Sequence, residues 1–162
     1  MRTRTSFHFV GKLTITIFVL LLPAITLAEV TRESMVNPDG TVELVFYIKG
    51  KKIARQVWSR DGEEVKTTGI IPNGTVKQYC GYGAIWEIPY KNNLAEGVAK
   101  MYDKKGRLRV KSNYKKGKLN DISKAYYEDG KLMREMLYRQ GMLVTSKEYG
   151  EKGTLIQEQF FP

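Results

Sequence analysis

Residues 123–132 read SKAYYEDGKL, and residues 146–155 give nearly the same ten letters as SKEYGEKGTL. Both segments place a tyrosine four residues before a glycine, as in Tyr126 and Gly130. Self-similarity at a fixed spacing is typical of repeat architectures. The pair therefore predicts a chain built from copies of one small structural unit.

The same arrangement recurs upstream of this pair. The segment AKMYDKKGRL begins at Ala99, VKQYCGYGAI begins at Val76, and a more divergent copy, RQVWSRDGEE, begins at Arg55. The aromatic residues of the five copies lie 21, 23, 24 and 23 positions apart, which gives a period of about 23 residues. These repeat aromatics are Trp58, Tyr79, Tyr102, Tyr126 and Tyr149.

The glycines of the repeat mark chain reversals. The segment NPDG at 37–40 has proline at the second position of a type I turn and glycine where φ is positive, which predicts a three-residue hairpin loop with a bulge. A second group of turns follows about eleven residues later, as in YKKG at 114–117. In YKNN at 90–93, Asn93 replaces the glycine, and asparagine also tolerates positive φ. The predicted turn glycines are Gly40, Gly62, Gly83, Gly106, Gly117, Gly130, Gly141 and Gly153.

Short segments between these turns predict an all-β fold, an elongated single-layer antiparallel meander of repeated β-hairpins. A glycine every eleven or twelve residues leaves no apolar stripe at helical spacing. In each hairpin an aromatic residue is expected to face an aliphatic residue across the turn, a stabilising cross-strand contact. The expected pairs are Tyr102 with Leu108, Tyr126 with Leu132 and Tyr149 with Leu155.

The first 28 residues differ from the rest. A basic start and an apolar run over residues 13–22 precede the small-residue sequence TLA at 26–28, the pattern of a secretory signal peptide. The apolar run is shorter than the ~20 residues that a spanning helix needs. We expect a signal peptide over residues 1–28, cleaved near Ala28, and a hairpin-repeat domain over residues 29–162 in the periplasm or outside the cell. An uncleaved membrane anchor is the alternative.

Few residues that carry catalytic chemistry follow this segment. Cleavage would remove His8, the only histidine, and with it any imidazole for a triad, a zinc site or a general base. Cys80, the only cysteine, is either an inter-chain disulfide partner or a small buried apolar residue. The segment CGYGAIW at 80–86 is interpreted as a modified hairpin turn. The sequence therefore predicts a non-enzymatic protein with no cofactor and no metal.

The positive charge is concentrated in one stretch. The first 28 residues hold three of the 27 basic residues and none of the 17 acidic ones, which leaves a net charge of +7 on the remainder. Residues 99–118 hold nine basic residues and one acidic residue, Asp103. This stretch predicts binding to an anionic membrane surface or other polyanion, or else a solvated edge where lysines discourage aggregation. Nucleic acid is not expected for an exported chain. The nine residues are Lys100, Lys104, Lys105, Arg107, Arg109, Lys111, Lys115, Lys116 and Lys118.

A row of aromatic residues also follows the repeat. It is either the contact surface of the sheet or its core, and its recurrence at positions that need cross-strand partners favours the core. The row comprises Tyr79, Tyr90, Tyr102, Tyr114, Tyr126, Tyr138, Tyr149 and Phe161.

The run L-x-E-G-x-A-K-x-Y-x-x-x-G-x-L, which begins at Leu94, resembles the bacterial variant of the MORN repeat. The resemblance is strong over residues 90–162 and weaker over residues 37–89. In the middle copy, Ile122 stands where the other copies have a glycine such as Gly97.

This resemblance implies a single-layer sheet of stacked hairpins that acts as a scaffold for protein contact and, in some members, for phospholipid. We therefore expect an exported, non-catalytic binding or scaffold module with a protein or envelope partner. Many bacterial members are catalogued as antitoxins, so neutralisation of a toxin is one alternative. Binding of anionic lipid or lipopolysaccharide through residues 99–118 is the other.

Overall fold

The structure, a computed structural model, describes residues 28–162, so nearly all of the expected signal segment lies outside the described residues. The predicted all-β fold is confirmed: the described part forms one sheet of 14 strands. A short 3₁₀ turn at Gly81–Gly83 is the only helical element within it. The strands are β1 (Val30–Val36), β2 (Val42–Ile48), β3 (Lys51–Trp58), β4 (Glu64–Gly69), β5 (Gly74–Tyr79), β6 (Ile85–Lys91), β7 (Leu94–Ala95), β8 (Gly97–Tyr102), β9 (Leu108–Lys115), β10 (Lys118–Leu119), β11 (Asp121–Tyr126), β12 (Leu132–Arg139), β13 (Met142–Tyr149) and β14 (Leu155–Phe160).

The strand order follows the chain with one departure. From β14 to β5 the strands pair antiparallel in chain order, as the hairpin prediction requires, except that the two-residue strands β7 and β10 lie off this path and pair with β6 and β9. The first four strands form their own antiparallel meander, and this meander joins the rest through a parallel pair, β1 with β5. Residues 70–73 connect β4 to β5, and Ile71 in this connection is buried in the core.

Two kinds of turn alternate along the sheet. In the first kind, such as residues 103–107, Asp103 accepts from the amide of Gly106 and donates its own amide to Arg107, which makes the predicted three-residue loop. In the second kind, two successive residues have positive φ, as in Lys116 (φ 49) and Gly117 (φ 81). This is the two-residue turn whose twist matches that of the strands it joins. All eight predicted turn glycines have positive φ.

The backbone register confirms the expected cross-strand pairs. Tyr102 is the partner of Leu108, and the next two copies repeat this pairing. The assignment of Ile122 to the glycine position was wrong by one residue. Asp121 has positive φ (63) and lies opposite Tyr138, as Gly97 lies opposite Tyr114. An aspartate can occupy this backbone region because its short polar side chain tolerates it, whereas a β-branched isoleucine does not.

The N-terminal half of the sheet curls until its inner face meets itself. The rings of Phe46 on β2 and Tyr90 on β6 lie 5.3 Å apart, edge to face. In a flat sheet these two strands, three places apart, would be separated by about 14 Å. Gln56 on β3 also donates through Nε2 to the carbonyl oxygen of Asn93 at 2.7 Å. The curl buries a core that a flat ribbon of hairpins would lack.

The inner face carries this core. Its buried apolar members come from both sides of the curl and include three alanines. They are Val30, Phe46, Ala54, Ile71, Val76, Ile88, Tyr90, Ala95 and Ala99.

The indole of Trp58 lies directly over the turn between β9 and β10. A Cβ atom placed on Gly117 would come within 2.5 Å of the Trp58 Cη2 atom, which is closer than any stable contact. At Gly141, in an equivalent turn, the nearest atom to such a Cβ is 3.8 Å away. Glycine is therefore required at position 117 for two reasons. It adopts positive φ in the turn, and its lack of a side chain allows Trp58 to approach the turn closely.

We expect Gly117→Ala to destabilise the fold by about 2–4 kcal/mol, because strain at positive φ adds to overpacking against Trp58. Gly141→Ala, with φ 90 and an open environment, should lose only about 1–2 kcal/mol. Urea denaturation followed by far-ultraviolet circular dichroism measures both. Equal losses in the two variants would contradict the close approach of Trp58.

Candidate functional site

The outer face of the sheet, defined as the side opposite the core, carries a row of charges in cross-strand register. Each member is the backbone partner of the next, from β5 across to β14. We call this the charge row. It consists of Lys77, Glu87, Lys100, Lys111, Lys124, Glu135, Lys147 and Glu158.

The charge row alternates in sign except at one position. Opposite charges face one another at both ends, and the Nζ of Lys124 lies 3.3 Å from Glu135 and that of Lys147 lies 3.3 Å from Glu158. At the centre, Lys111 stands between two further lysines, and we call Lys100, Lys111 and Lys124 the lysine triad. A glutamate at position 111 would make the whole row alternate.

The lysine triad is an electrostatically unfavourable arrangement of the protein alone. Directly opposite side chains have Cβ atoms about 5 Å apart, and like charges at this distance are destabilising. Within residues 28–162, neither Lys100 nor Lys111 has a carboxylate within 4.0 Å, and residues 1–27 contain no acidic residue. Both side chains are exposed. A bound anionic group would relieve this repulsion.

The nine basic residues predicted from the sequence do not form one continuous patch. Because β9 runs across the full width of the sheet, the basic residues around it fall into three groups. Lys104, Lys105, Arg107 and Arg109 lie at the loop edge, Lys100 and Lys111 lie on the outer face, and Lys115, Lys116 and Lys118 lie at the opposite, turn edge.

Three of these nine charges are partly compensated by carboxylates. Arg107 bonds to Asp103 at 2.7 Å and to Glu128 at 2.9 Å. The side-chain hydrogen bond from Arg107 is the main reason that the pKa of Asp103 is lowered to about 2. Arg109 donates to the carbonyl oxygen of Tyr126 at 3.0 Å and lies 3.7 Å from Asp103. Lys118 pairs with Glu63 across the curl.

The aromatic row is divided between different environments. Tyr90 is 4% exposed and belongs to the core, and Tyr114 packs against that core. Tyr79 is 57% exposed, and its hydroxyl donates to Glu29 at 2.8 Å. Phe161 is also exposed. The half-buried members are Tyr102, Tyr126, Tyr138 and Tyr149, and Trp58, the first of the repeat aromatics, is also half-buried.

The segment at 80–86 forms a hairpin turn in the register of the other copies. The amide of Cys80 donates to Ala84, and Tyr79 lies opposite Ile85. Tyr82 stands at its tip, fully exposed and with φ 61. The half-buried Cys80 is a free thiol.

Sequence reasoning missed the lysine triad as a unit. Lys124 lies outside the stretch 99–118, and Glu87 and Glu135 were not connected with it. The signal was present in the spacing, because the members of the charge row recur at alternate intervals of about 11 and 13 residues. It becomes readable only when the register of each hairpin is known.

Comparison with known proteins agrees with the hairpin pattern. Residues 95–116 and 122–140 match the family model of the MORN repeat variant. Each MORN match contains one three-residue loop and reaches the following two-residue turn. The resemblance predicted for these two copies is thus confirmed. No curated protein matches the chain.

The lysine triad lies across the two matched MORN repeats, with Lys100 and Lys111 in the first and Lys124 in the second. Across residues 28–162 no cluster of three or more potential metal-ligating side chains is present. The described part of the chain also has no helix with the length and apolarity needed to cross a membrane.

We expect Lys111→Glu to stabilise the fold by about 0.5–2 kcal/mol, because it replaces two like-charge neighbours by two opposite-charge ones. The matched change Lys147→Glu should instead destabilise the fold, since Lys147 stands between Glu135 and Glu158. Both effects should shrink in 1 M salt, which screens exposed charges. Urea denaturation at low and high salt measures them. A loss of stability in Lys111→Glu would contradict the repulsion within the triad.

Proposed function

We propose that this protein is a non-catalytic binding module whose contact surface is the outer face of the MORN repeats, centred on the lysine triad, and whose partner is a protein with a local cluster of carboxylates. MORN repeats suggest a repeat-based binding or scaffold role. The observation that carries the proposal is the break in the charge row at Lys111. The repulsion among the three lysines destabilises the free protein, and an acidic group on a partner relieves this repulsion.

The charge distribution favours a protein over a membrane as partner. The triad spans only three strands and is flanked by Glu87 and Glu135, so a flat anionic surface would meet repulsive carboxylates beside the attractive lysines. A compact acidic cluster on a protein can contact the triad alone. Electrostatic complementarity of this local kind selects partners and speeds association.

Apolar side chains beside the triad support the same choice. Val98 and Ile122 lie two residues before Lys100 and Lys124 on the same strands, and they are 40% and 42% exposed. Protein interfaces combine apolar contact with charged and polar groups at the rim. Val98 and Ile122 supply the apolar contact, and the lysine triad supplies the charged groups.

The test uses one pair of variants with the same change of charge. Lys111→Glu reverses the centre of the triad, and Lys147→Glu reverses another lysine of the charge row on a neighbouring part of the same face. A hexaglutamate peptide at low salt should shift the NMR resonances around the triad and bind Lys111→Glu about tenfold more weakly, while Lys147→Glu changes affinity much less. In affinity capture, a specific partner should be retained by the wild type and by Lys147→Glu but not by Lys111→Glu.

Equal losses in both variants would show that only net charge matters and would exclude a site centred on Lys111. Binding to anionic vesicles in a flotation assay, reduced equally by the two variants, would favour the lipid alternative. The exposed Lys104, Lys105, Lys115 and Lys116 at the two edges are the residues that such an alternative would use. A toxin among the captured proteins would identify the binding as neutralisation.

We also propose that the module acts outside the cytoplasm. The signal-like pattern of residues 1–28 supports export, and strand β1 begins at Val30, two residues after Ala28. Glu29 is already fixed by Lys77 at 2.7 Å. Intact-mass measurement of the protein from its native cells should give a chain that begins at Glu29, and a chain that retains Met1 would contradict cleavage.

A further inference from the structure

The inner side of the curl contains a hollow of about 420 Å³ beside the core. It lies between β1–β3 on one side and the turns around β6, β9 and β10 on the other. We call it the Arg32 hollow, and its main lining residues are Arg32, Leu44, Trp58, Tyr90 and Tyr114. It opens on the side of the sheet opposite the lysine triad, so it is separate from the proposed contact surface.

Arg32 brings a positive charge into this hollow without a counter-charge. Its Nε donates to Gln78 at 2.8 Å and its Nη1 donates to the Tyr90 hydroxyl at 2.6 Å, and both acceptors are neutral. Within residues 28–162 no carboxylate lies within 4.0 Å of Arg32, and residues 1–27 contain none. The side chain is half-buried and its guanidinium lies 5.9 Å from the centre of the Tyr90 ring. A partly desolvated cation of this kind favours an anionic partner.

Two other polar groups of the lining, on Tyr90 and Trp58, are hydrogen-bond donors for which the described residues offer no acceptor. The hydroxyl of Tyr90, a residue that is 4% exposed, accepts from Arg32, and its own proton has no acceptor among the described residues. The Nε1 of Trp58 is buried and is likewise without a partner in the described part of the chain. Three N–H groups of Arg32 also remain after its two bonds. Buried donors of this kind are normally paired.

We infer that the Arg32 hollow binds a small organic carboxylate with a compact apolar body. The carboxylate supplies a negative charge and up to four acceptor positions, which match the remaining N–H groups of the Arg32 guanidinium and the adjacent Tyr90 hydroxyl. The apolar body matches Leu44 and the faces of Trp58 and Tyr114. No acidic residue lines the hollow, and Arg60 at its margin adds further positive charge, whereas Lys118 at the same margin is paired with Glu63. Its volume lies within the range of small-molecule sites, about 300–1,000 Å³.

The experiment compares two probes of nearly equal shape, 3-phenylpropionate and its neutral analogue 3-phenylpropanamide. Titration is followed by calorimetry and by the NMR signal of the Trp58 indole N–H, which a ligand in the hollow should shift. The carboxylate should bind about tenfold or more tightly than the amide, as one charge-assisted pair contributes on this scale. Arg32→Gln, which retains a polar side chain but no charge, should abolish this preference.

Two further variants keep the test decisive. Tyr90→Phe keeps the ring and removes the donor, so it should weaken carboxylate binding while leaving part of the preference over the amide. Lys111→Gln removes a positive charge from the opposite face and should change nothing in the hollow. Circular dichroism establishes that each variant is folded.

Equal affinity for the two probes, or no shift of the Trp58 signal at millimolar concentration, would overturn the assignment. A preference for the carboxylate over the amide that persists in Arg32→Gln would also overturn the assignment. If Arg32→Gln does not fold, an unchanged affinity in Tyr90→Phe is the overturning result. Because the hexaglutamate experiment reports on the outer face, either proposal can fail while the other holds.

Discussion

The structure depends on the backbone conformation at the turns. Every hairpin is closed by residues with positive φ, in three-residue loops ending at residues such as Gly106 and in two-residue turns such as Lys116 with Gly117. Since loop length and turn type fix the register of the strands they join, the alternation of these two turns determines which side chains stand opposite one another. The aromatic–aliphatic pairs, the charge row and the division into two faces all follow from that register.

The two faces of the sheet are stabilised by different interactions. On the inner face, small side chains such as Ala95 and Ala99 allow the sheet to curl until Phe46 meets Tyr90, and the curl supplies the core that separate hairpins cannot form. On the outer face the charges largely compensate one another across strands. The inner face departs from apolar packing at Arg32, as well as at neutral polar side chains such as Gln56, and the outer face departs from charge alternation at Lys111. The departures at Arg32 and Lys111 leave positive charge without a local partner, and both are where we place binding.

The parts of the structure that sequence reasoning predicted are those set by short-range physics. The pairing of Tyr102 with Leu108 requires only the glycine at 106 and the length of one loop. The error at Ile122 has the same local origin. Counting from Leu94 and Leu119 placed the glycine position at Ile122, whereas the tyrosines give the true register. Asp121 lies five residues before Tyr126, as Gly97 lies five residues before Tyr102. The nine basic residues, by contrast, were read as one stretch because they are adjacent in sequence. In the sheet, strand β9 carries its two ends to opposite edges.

The sequence alone determined that this chain is a series of short strands reversed at regular intervals, because turn chemistry acts within four or five residues. Only the tertiary structure decided that the sheet closes over Tyr90, that Trp58 covers Gly117, that Arg32 lies in a hollow without a carboxylate, and that Lys124 joins Lys100 and Lys111. Most of these contacts connect residues far apart in sequence: Phe46 lies 44 positions from Tyr90, and Trp58 lies 59 positions from Gly117. They depend on the accumulated twist and register of many strands, which no local pattern specifies.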